Sequence, residues 1–507
     1  MSAAHSGVSL TWLLEGIAPA PAVDAQVRDL TLNSREARAG SLFLALRGRS
    51  SHGLEYAAEA AARGASAVLW DPAADSDLSG AAALASGAGV PVAPVPRLKA
   101  LVGRIADRFF GWPSSHLRVV GITGTNGKTT CAYLLAQALS RLNSDAAYIG
   151  TVGWGRIGAL QTPTHTTPDA VTVHRQLSQL RALGVRDVAM EVSSHALDQG
   201  RVDGVRFHSA AFTNLTRDHL DYHGSMEAYG AAKARLIEAD GLQHLILNVG
   251  DAFCRELAHR YGGRLPITAV WSGEGGAGWL ADRCVHADDI ALDLNGISMT
   301  IRGSFGEQRL TTRLLGRFNA ENCAVVTACL LALRVPLGDA AAALGECLPP
   351  PGRMEVVGSE GRSKPLAVVD YAHTPDALAK ALRALREHCR GALWCVFGCG
   401  GDRDPGKRPM MGAVADELAD AIIVTDDNPR SENPQSICRA ILLGISAHAA
   451  RVIHDRGEAI AAAINEAAPV DVVLIAGKGH EDYQIYGDVR RSFSDRDAAL
   501  RALRAAA

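Results

Sequence analysis

The 507-residue sequence contains no long basic run, no CxxC pair, no Cys/His cluster at zinc-ligand spacing, no internal repeat and no low-complexity segment beyond Ala-rich helices. With a formal net charge of -3, the missing basic run removes the electrostatic footprint of a nucleic-acid or membrane-surface binder. The ten cysteines are scattered, so they read as reduced thiols in a reducing compartment, and the protein as cytoplasmic. The stretch MSAAHSGVSLTWLLEGIAPAP has no Lys or Arg ahead of its short apolar run, which Glu15 interrupts. Neither a signal peptide nor a membrane span is expected there.

What is present describes a globular chain, 48% hydrophobic and 21% charged, too long for one hydrophobic core and expected to form two to four domains of roughly 100–200 residues. Composition shifts place three domains at 1–110, 111–348 and 349–507. In the first, SLFLAL, LEYAAEAAARG and ASAVLW read as strand, helix closed by Gly64, and strand. A loop is expected at 71–90, and FFGWPSSH reads as a linker. The second holds the apolar runs DVAMEV, FHSAAFTNL and HLILNV. Its segment IALDLNGISMTIRG carries the hairpin signal Asn295-Gly296, so a small antiparallel sheet is expected beside a mostly parallel one. Three consecutive prolines in CLPPPGRMEV oppose both helix and central strand and mark the second boundary. Beyond them LAVVDYA, ALWCVFG, AIIVTDD, RVIHD and DVVLIAG alternate with helical stretches such as DALAKALRALREH, the pattern of a Rossmann-like α/β domain.

The segment GITGTNGKTT lies between the run LRVV and a helical face at 131, 134, 135, 138, 139 and 142. Backbone N–H groups at a helix N-terminus attract anions. Gly124 and Gly127 permit close approach, and Lys128 supplies charge for the β/γ-phosphates. Ile122 stands where the full P-loop pattern has its first glycine, leaving the shorter GxxGKT, which also suits a ligand-free strand-to-helix turn. Glu191, inside an apolar run, is costly unless paired with a cation or metal. With His219 in NLTRDHLDYHG and a Thr hydroxyl of the loop it suits Mg²⁺. Lys233, among small residues on a helix, reads as a surface lysine.

In the third domain FGCGGDRDPGKR, TDDNPRSENP and GKGHEDYQ each follow an apolar run, so these loops converge beyond strand ends. Arg403 and Arg430 offer forks for carboxylates, and Asp427 and Glu481 offer acceptors for an ammonium. The same residues also suit turns whose charges pair with one another.

Taken in order, LNSREARAGSLFLALRG, GTNGKTT, TTPDA, EVSSHALDQGRV, NLTRDHLDYHG, YGAAKARL, LGRFNAEN, PGRMEVV, DYAHTPDAL, GGDRDPGKRP, DDNPR and GKGHEDYQ resemble the ATP-dependent Mur ligases of peptidoglycan synthesis. The resemblance implies an α/β chain of three domains: an N-terminal UDP-substrate domain, a central P-loop-type ATPase domain, and a C-terminal Rossmann-like amino-acid domain. It implies a ligase that joins diaminopimelate to the D-glutamyl carboxylate of a UDP-N-acetylmuramoyl-dipeptide, through an acyl phosphate made from ATP. Leu32 and Ser34 would contact the uridine nucleotide, and Thr166, Thr167, Ser193, Gln199 and Arg201 would hold the rest of that substrate. Gly124, Thr125, Asn126, Gly127, Lys128, Thr129 and Thr130 would cradle ATP. Asn319 would meet the adenine, and Arg353, Asp370 and His373 would reach ATP from the third domain. Thr130, Glu191 and His219 would serve Mg²⁺. Lys233 matches a lysine carried as a carbamate, which reverses the surface reading. Arg403, Asp427, Asn428, Arg430, Gly477 and Glu481 would bind diaminopimelate. A monomer acting on small molecules is expected, with neither nucleic acid nor membrane as partner. Asn33 replaces a usual Asp, and His165 a frequent Asn, on the UDP-substrate side. The alternatives are a lysine-adding ligase, a folylpolyglutamate-synthetase-like ligase, and a non-catalytic nucleotide-binding regulator.

Overall fold

A computed structural model describes residues 7–48, 50–72, 80–142, 145–163, 165–273, 282–358 and 364–505. The architecture is three-domain α/β, with an N-terminal parallel sheet, a mixed ten-stranded central sheet and a mostly parallel C-terminal sheet. By internal contact the chain divides into two compact units. The first comprises Met1–Lys128, Asn143–Ile246 and Arg260–Pro266, the second Thr129–Leu142, Leu247–His259 and Ile267–Ala507.

In the first unit, Asp29–Thr31, Ser41–Ala45, Ala65–Trp70 and Val92–Pro94 form the N-terminal sheet, all parallel. Ser41–Ala45 is buried throughout because both faces are covered. Leu42 and Leu44 pack with Leu98, Val102 and Ile105 of helix Leu98–Phe109, while Phe43 and Ala45 face Ala57 and Ala60. The loop expected at 71–90 is corrected in part. Ala81–Gly87 is a helix, and residues 73–79 lie outside the described ones. FFGWPSSH, read as a linker, ends one helix and forms the 3-10 turn Pro113–His116, with Phe109, Phe110, Pro113 and Ser114 buried.

The same unit supplies the strands that carry the glycine-rich loop. Arg118–Thr123 lies between Asp187–Glu191 and Phe207–Phe212, parallel to both, and Asp187–Glu191 also pairs with Ala146–Gly150. Parallel strands present their C-terminal ends on one edge, where Thr123, Glu191 and Phe212 all fall. Ile122 sits inside its strand, fully buried and opposite Glu191 and Ala211. That is why no glycine is needed there.

In the second unit, Ile267–Ser272 pairs in parallel with Arg283–Asp293, which continues antiparallel into Gly296–Gly303 and Gly306–Thr312. The expected hairpin is present, with its turn at Leu294-Asn295 and Gly296 opening the returning strand opposite Asp293. Gly296 has φ 133, and a Cβ there would lie 2.0 Å from the Thr312 carbonyl. The C-terminal sheet runs Glu355–Val357, Leu366–Asp370, Val472–Ala476, Leu393–Phe397, Ala421–Val424 and Arg451–Val452, with only the first edge antiparallel. Helices Pro375–Arg386, Lys407–Leu418 and Pro434–Leu442 cover one face, and Arg456–Glu466 and Asp495–Ala505 the other. Of RVIHD only Arg451–Val452 is strand, and both residues are exposed. Among the described residues no helix is long and apolar enough to cross a membrane.

Candidate active site

The glycine-rich loop is held from one side by the segment after Phe207–Phe212. Asn214 accepts the Thr125 N–H through its carbonyl and the Asn126 N–H through its side chain, both at 2.9 Å. The Thr213 hydroxyl donates to the Asn126 carbonyl at 2.6 Å. Thr125 Oγ1 donates to the Thr216 carbonyl and accepts the Thr216 N–H. Gly124 has φ 151, and a Cβ there would fall 1.9 Å from Thr213 Oγ1, so only glycine permits this seam. Gly127 is also left-handed, and Lys128 opens helix Lys128–Arg141, which carries Thr129 and Thr130 in its first turn.

Two lysines meet at this loop. Lys128 Nζ donates to the Gly124 and Thr125 carbonyls, each at 2.8 Å, and Lys233 Nζ donates to the same Gly124 carbonyl at 2.7 Å. Lys233 is 1% exposed and lies over the Tyr229 ring, 4.4 Å from its centroid. The surface reading of Lys233 is therefore corrected. Its helix, Met226–Ala234, presents Gly230, Ala232 and Ala234 as buried neighbours, and small residues allow the close packing that takes the lysine inside.

Glu191 is fully buried at its strand end. It accepts hydrogen bonds from the Tyr148 hydroxyl, from the Thr151 N–H at 2.8 Å and from the Thr151 hydroxyl at 3.2 Å. Thr151 Oγ1 also bonds Thr166 Oγ1 at 3.1 Å, and Thr167 Oγ1 donates to the Glu191 carbonyl at 2.9 Å. The Ser193 N–H donates to Thr167 Oγ1, Arg201 donates to the Thr167 carbonyl and to Gln199 Oε1, and Gln199 donates to the Tyr222 hydroxyl. Thr166, Thr167, Ser193, Gln199, Arg201 and Glu191 thus form one network. His219 is exposed and left-handed, its ring 4.9 Å from His195 and 6.1 Å from Tyr229, whose hydroxyl bonds Thr125 Oγ1. Burial pushes His195 and His223 below the usual imidazole range, aided by the neighbouring His219.

Leu32 and Ser34 stand elsewhere in the first unit, at the end of the N-terminal sheet. Ser34 Oγ donates to Glu59, and among the described residues no hydrogen bond joins the pair to the Thr166–Arg201 network. Asn33 caps the 3-10 turn Ser34–Glu36 by accepting the Arg35 N–H, and its amide donates to Glu36. His165 is exposed.

In the second unit, Asn319 is buried near the start of helix Phe318–Ala332, donating to the Leu315 carbonyl and accepting from Asn322, both at 2.7 Å. The Asp370 carboxylate accepts the Met354 and Ala372 N–H groups, and burial pushes it up, opposed by Arg353. Arg353 lies over the Tyr371 ring at 4.8 Å, and its Nε is buried without a hydrogen-bond partner among the described residues. His373 packs on the other side of the sequence, its ring 4.6 Å from Tyr371. Arg353 and His373 thus both meet the Tyr371 ring, and both charges act on Asp370.

The three polar loops do converge. A Cβ on Gly400 would lie 2.8 Å from Arg430 Nη1 and 3.7 Å from Arg403 Cγ, and one on Gly477 would lie 2.7 Å from Asp427 Oδ2. Arg430 is left-handed and donates through Nη1 to the Gly401 carbonyl at 2.8 Å, and its N–H bonds the Ile485 carbonyl. Among the described residues neither Arg403 nor Arg430 forms an ion pair; the turn pairs Asp402 with Ser431 and Glu432 with Arg408 instead. Asn428 donates to Glu481 at 2.9 Å. The first acid of the DDNPR run is structural: Asp426 is bonded to His454 and the Tyr486 hydroxyl, while Gln484 donates to the Asp426 and Asp427 carbonyls.

Residues 26–110, 122–330 and 352–479 match, in turn, the Mur ligase family catalytic domain, the Mur ligase middle domain and the Mur ligase glutamate ligase domain. This chain belongs to the Mur ligase family. The UDP-N-acetylmuramoyl-L-alanyl-D-glutamate--2,6-diaminopimelate ligase of Alkalilimnicola ehrlichii is 48% identical over 482 residues, 95% of each chain. That of Pseudomonas aeruginosa is 47% identical over 483 residues, 95% of this chain and 96% of its own. A solved structure of a ligase of the same name is 34% identical with a TM-score of 0.71, covering 98% of this chain and 99% of the other. A Mycobacterium tuberculosis folylpolyglutamate synthase structure, 18% identical with a TM-score of 0.57 over 75% of this chain and 91% of its own, shares the fold alone. Mur ligases use ATP.

Sequence reasoning missed several residues that hold these candidates in place. Tyr148 and Thr151, which satisfy Glu191, lie in or just after an apolar strand and carry no motif. Lys478 is fully buried and bonded to Asn428 and Glu481. Its only signal was a lysine between two glycines directly after an apolar run.

Proposed function

We propose that this chain is an ATP-dependent ligase that joins meso-2,6-diaminopimelate to the D-glutamyl carboxylate of UDP-N-acetylmuramoyl-L-alanyl-D-glutamate in peptidoglycan precursor synthesis. The observation that carries the reading is the 48% identity, over 95% of both chains, to the ligase of that name from Alkalilimnicola ehrlichii. A carboxylate is a poor electrophile. The γ-phosphoryl group of ATP passes to one of its oxygens, giving an acyl phosphate and ADP. The unprotonated amine of diaminopimelate then attacks the acyl carbon, and phosphate leaves with the C–O bond as the amide forms.

The residues divide this work. Amides of the loop Gly124–Gly127 and the Lys128 ammonium face the phosphates, where positioning and charge stabilisation dominate the barrier to phosphoryl transfer. Thr166, Thr167, Ser193, Gln199 and Arg201 hold the UDP-linked dipeptide, with Leu32 and Ser34 on its uridine end. Asn319 takes the adenine, and Arg353, Asp370 and His373 reach the nucleotide. Arg403 and Arg430 receive the carboxylates of diaminopimelate; Asp427 and Glu481 receive its ammonium. The enzyme is read as a cytoplasmic monomer, and the thiols suit that compartment, since all ten cysteines are free.

Mg²⁺ would be held by the oxygen donors, a buried carboxylate at Glu191 and a hydroxyl at Thr130, alongside waters and phosphate oxygens, with the His219 imidazole a borderline nitrogen ligand. When bound, Mg²⁺ neutralises charge on the transferring group. Carbamylation of Lys233 is supported by its surroundings. Two ammonium groups on the one Gly124 carbonyl repel each other, and converting one to a carbamate replaces that repulsion by attraction. Carbon-13 NMR with labelled bicarbonate is expected to give a carbamate resonance absent from Lys233→Ala; its absence from the wild type rejects the modification. For the reaction itself, mass spectrometry is expected to find a UDP-tripeptide formed one-for-one with ADP and phosphate. ADP without tripeptide would reject it.

A further inference from the structure

Resting on the reading of the DDNPR and GKGHE loops as the diaminopimelate site, we infer that Lys478 is a positioning residue for amino-acid selection. Its buried ammonium fixes Glu481 and Asn428 for the incoming diamino acid and biases the site toward a substrate with a second carboxylate.

The geometry is specific. Lys478 is 0% exposed, and its Nζ lies 3.1 Å from Glu481 Oε2 and 3.2 Å from Asn428 Oδ1, over the Tyr483 ring at 5.3 Å. Asn428 also donates to that same Glu481 Oε2 at 2.9 Å and accepts the Ile485 N–H at 3.0 Å. Glu481 is therefore clamped through one oxygen by two donors. Its Oε1 accepts no hydrogen bond among the described residues, and its side chain keeps 20% exposure. That oxygen is the one left for an ammonium of the substrate.

The backbone is shaped to send this lysine inward. Gly477 and Gly479 are left-handed at φ 118 and 54. A Cβ on Gly479 would come within 2.7 Å of Tyr371 Cβ and 2.8 Å of the Gly352 carbonyl. Glycine on both sides lets the loop press against its neighbours while Lys478 turns under it.

A buried lysine without a partner is costly, and the Glu481 carboxylate supplies that partner at 3.1 Å. Removing the lysine leaves Glu481 held by Asn428 alone and adds one uncompensated negative charge beside Asp427. Both changes act against diaminopimelate. The added charge does so more than for L-lysine, which lacks the second carboxylate.

The test measures KM for each of the three substrates, and the kcat/KM ratio of diaminopimelate to L-lysine, in K478M, E481Q and the double variant. K478M is expected to raise the diaminopimelate KM about tenfold or more, the scale of a lost charged hydrogen bond, and to lower the ratio. KM values for ATP and the UDP-dipeptide should stay within about twofold, and the double variant should match E481Q alone within that margin. Equal shifts for all three substrates, or additive effects in the double variant, would overturn the inference. Should K478M fold poorly, K478Q keeps a donor without the charge. It is expected to lower the ratio while diaminopimelate KM moves less, and an unchanged ratio would overturn the charge argument. Wild-type enzyme that turns over with neither amino acid would instead overturn the site reading itself.

Discussion

Lysines of the glycine-rich loop and of the GKGHE loop are tied down by different partners. Lys128 and Lys233 donate to backbone carbonyls of the glycine-rich loop, which orient each side chain along the loop. Lys478 sits on the Glu481 carboxylate, and nearby Arg456 makes a two-pronged pair with Asp495 in which both side chains are 0% exposed. The first arrangement holds the Lys128 ammonium on the loop where the proposed polyanion arrives and departs. The second spends charge on geometry, holding a recognition surface in place before its ligand comes. Truncation should therefore cost chemistry in the first half and structure or selectivity in the second.

The largest effect should be structural. Arg456→Met strands Asp495 in the core and is expected to destabilise by about 3–5 kcal/mol, the cost of breaking a buried pair, read from urea unfolding. A stability close to wild type would erase the contrast. Next, Lys128→Met should lower kcat by about 10²–10³-fold, the range for a group that stabilises developing charge, with an unfolding midpoint near wild type; a large loss of stability with normal turnover would invert the comparison. Arg430→Ala should then cost about 2–5 kcal/mol in kcat/KM for diaminopimelate, the scale for truncating one partner of a buried charge pair. Unchanged constants would remove Arg430 from carboxylate recognition.

The smallest effect sharpens the comparison within the first unit. His174 is fully buried, its Nε2 facing the Asp203 carbonyl at 3.0 Å and its Nδ1 3.5 Å from Asp107 Oδ1. Burial raises Asp107 to about 6, so its folded carboxyl keeps a proton that the unfolded chain releases, and stability falls as pH rises through that range. Burial lowers His174 to about 4, so the unfolded chain binds the extra proton, and stability rises with pH up to the ordinary value of 6.5. The two slopes oppose. Asp107→Asn leaves only the histidine, and its stability is expected to climb by about 2–3 kcal/mol between pH 4 and 6.5 while the wild type stays nearly flat. A flat variant would show that His174 does not titrate in this way.

Much of the fold was legible because its elements have strong periods. The buried parallel strands read as continuous apolar runs, and Asn295-Gly296 marked its hairpin. What was hidden lacked a period or a long run. Ala81–Gly87 is built from Ala, Leu, Ser and Gly with no apolar face to count. Arg451–Val452 is too short and too exposed to register. The site divided similarly. Glycines and charges at strand ends announced the glycine-rich loop and the DDNPR loop, because tight turns beyond strand ends demand those residue types. Depth was not announced. Lys233 looked like a surface lysine and Lys478 was not singled out, because small neighbours and glycine turns, which allow burial, are also what exposed segments contain. Tyr148 and Thr151 support Glu191 from across a strand and a turn, a proximity that only the sheet creates.

The most direct test of the account is phosphate release from wild-type protein supplied with ATP, Mg²⁺ and UDP-N-acetylmuramoyl-L-alanyl-D-glutamate, with meso-diaminopimelate, L-lysine or no amino acid. Release with diaminopimelate alone, matched by a UDP-tripeptide, is the predicted result. Equal turnover with L-lysine would contradict the role given to Arg430 and Lys478, and no turnover with either would contradict the assigned acceptor.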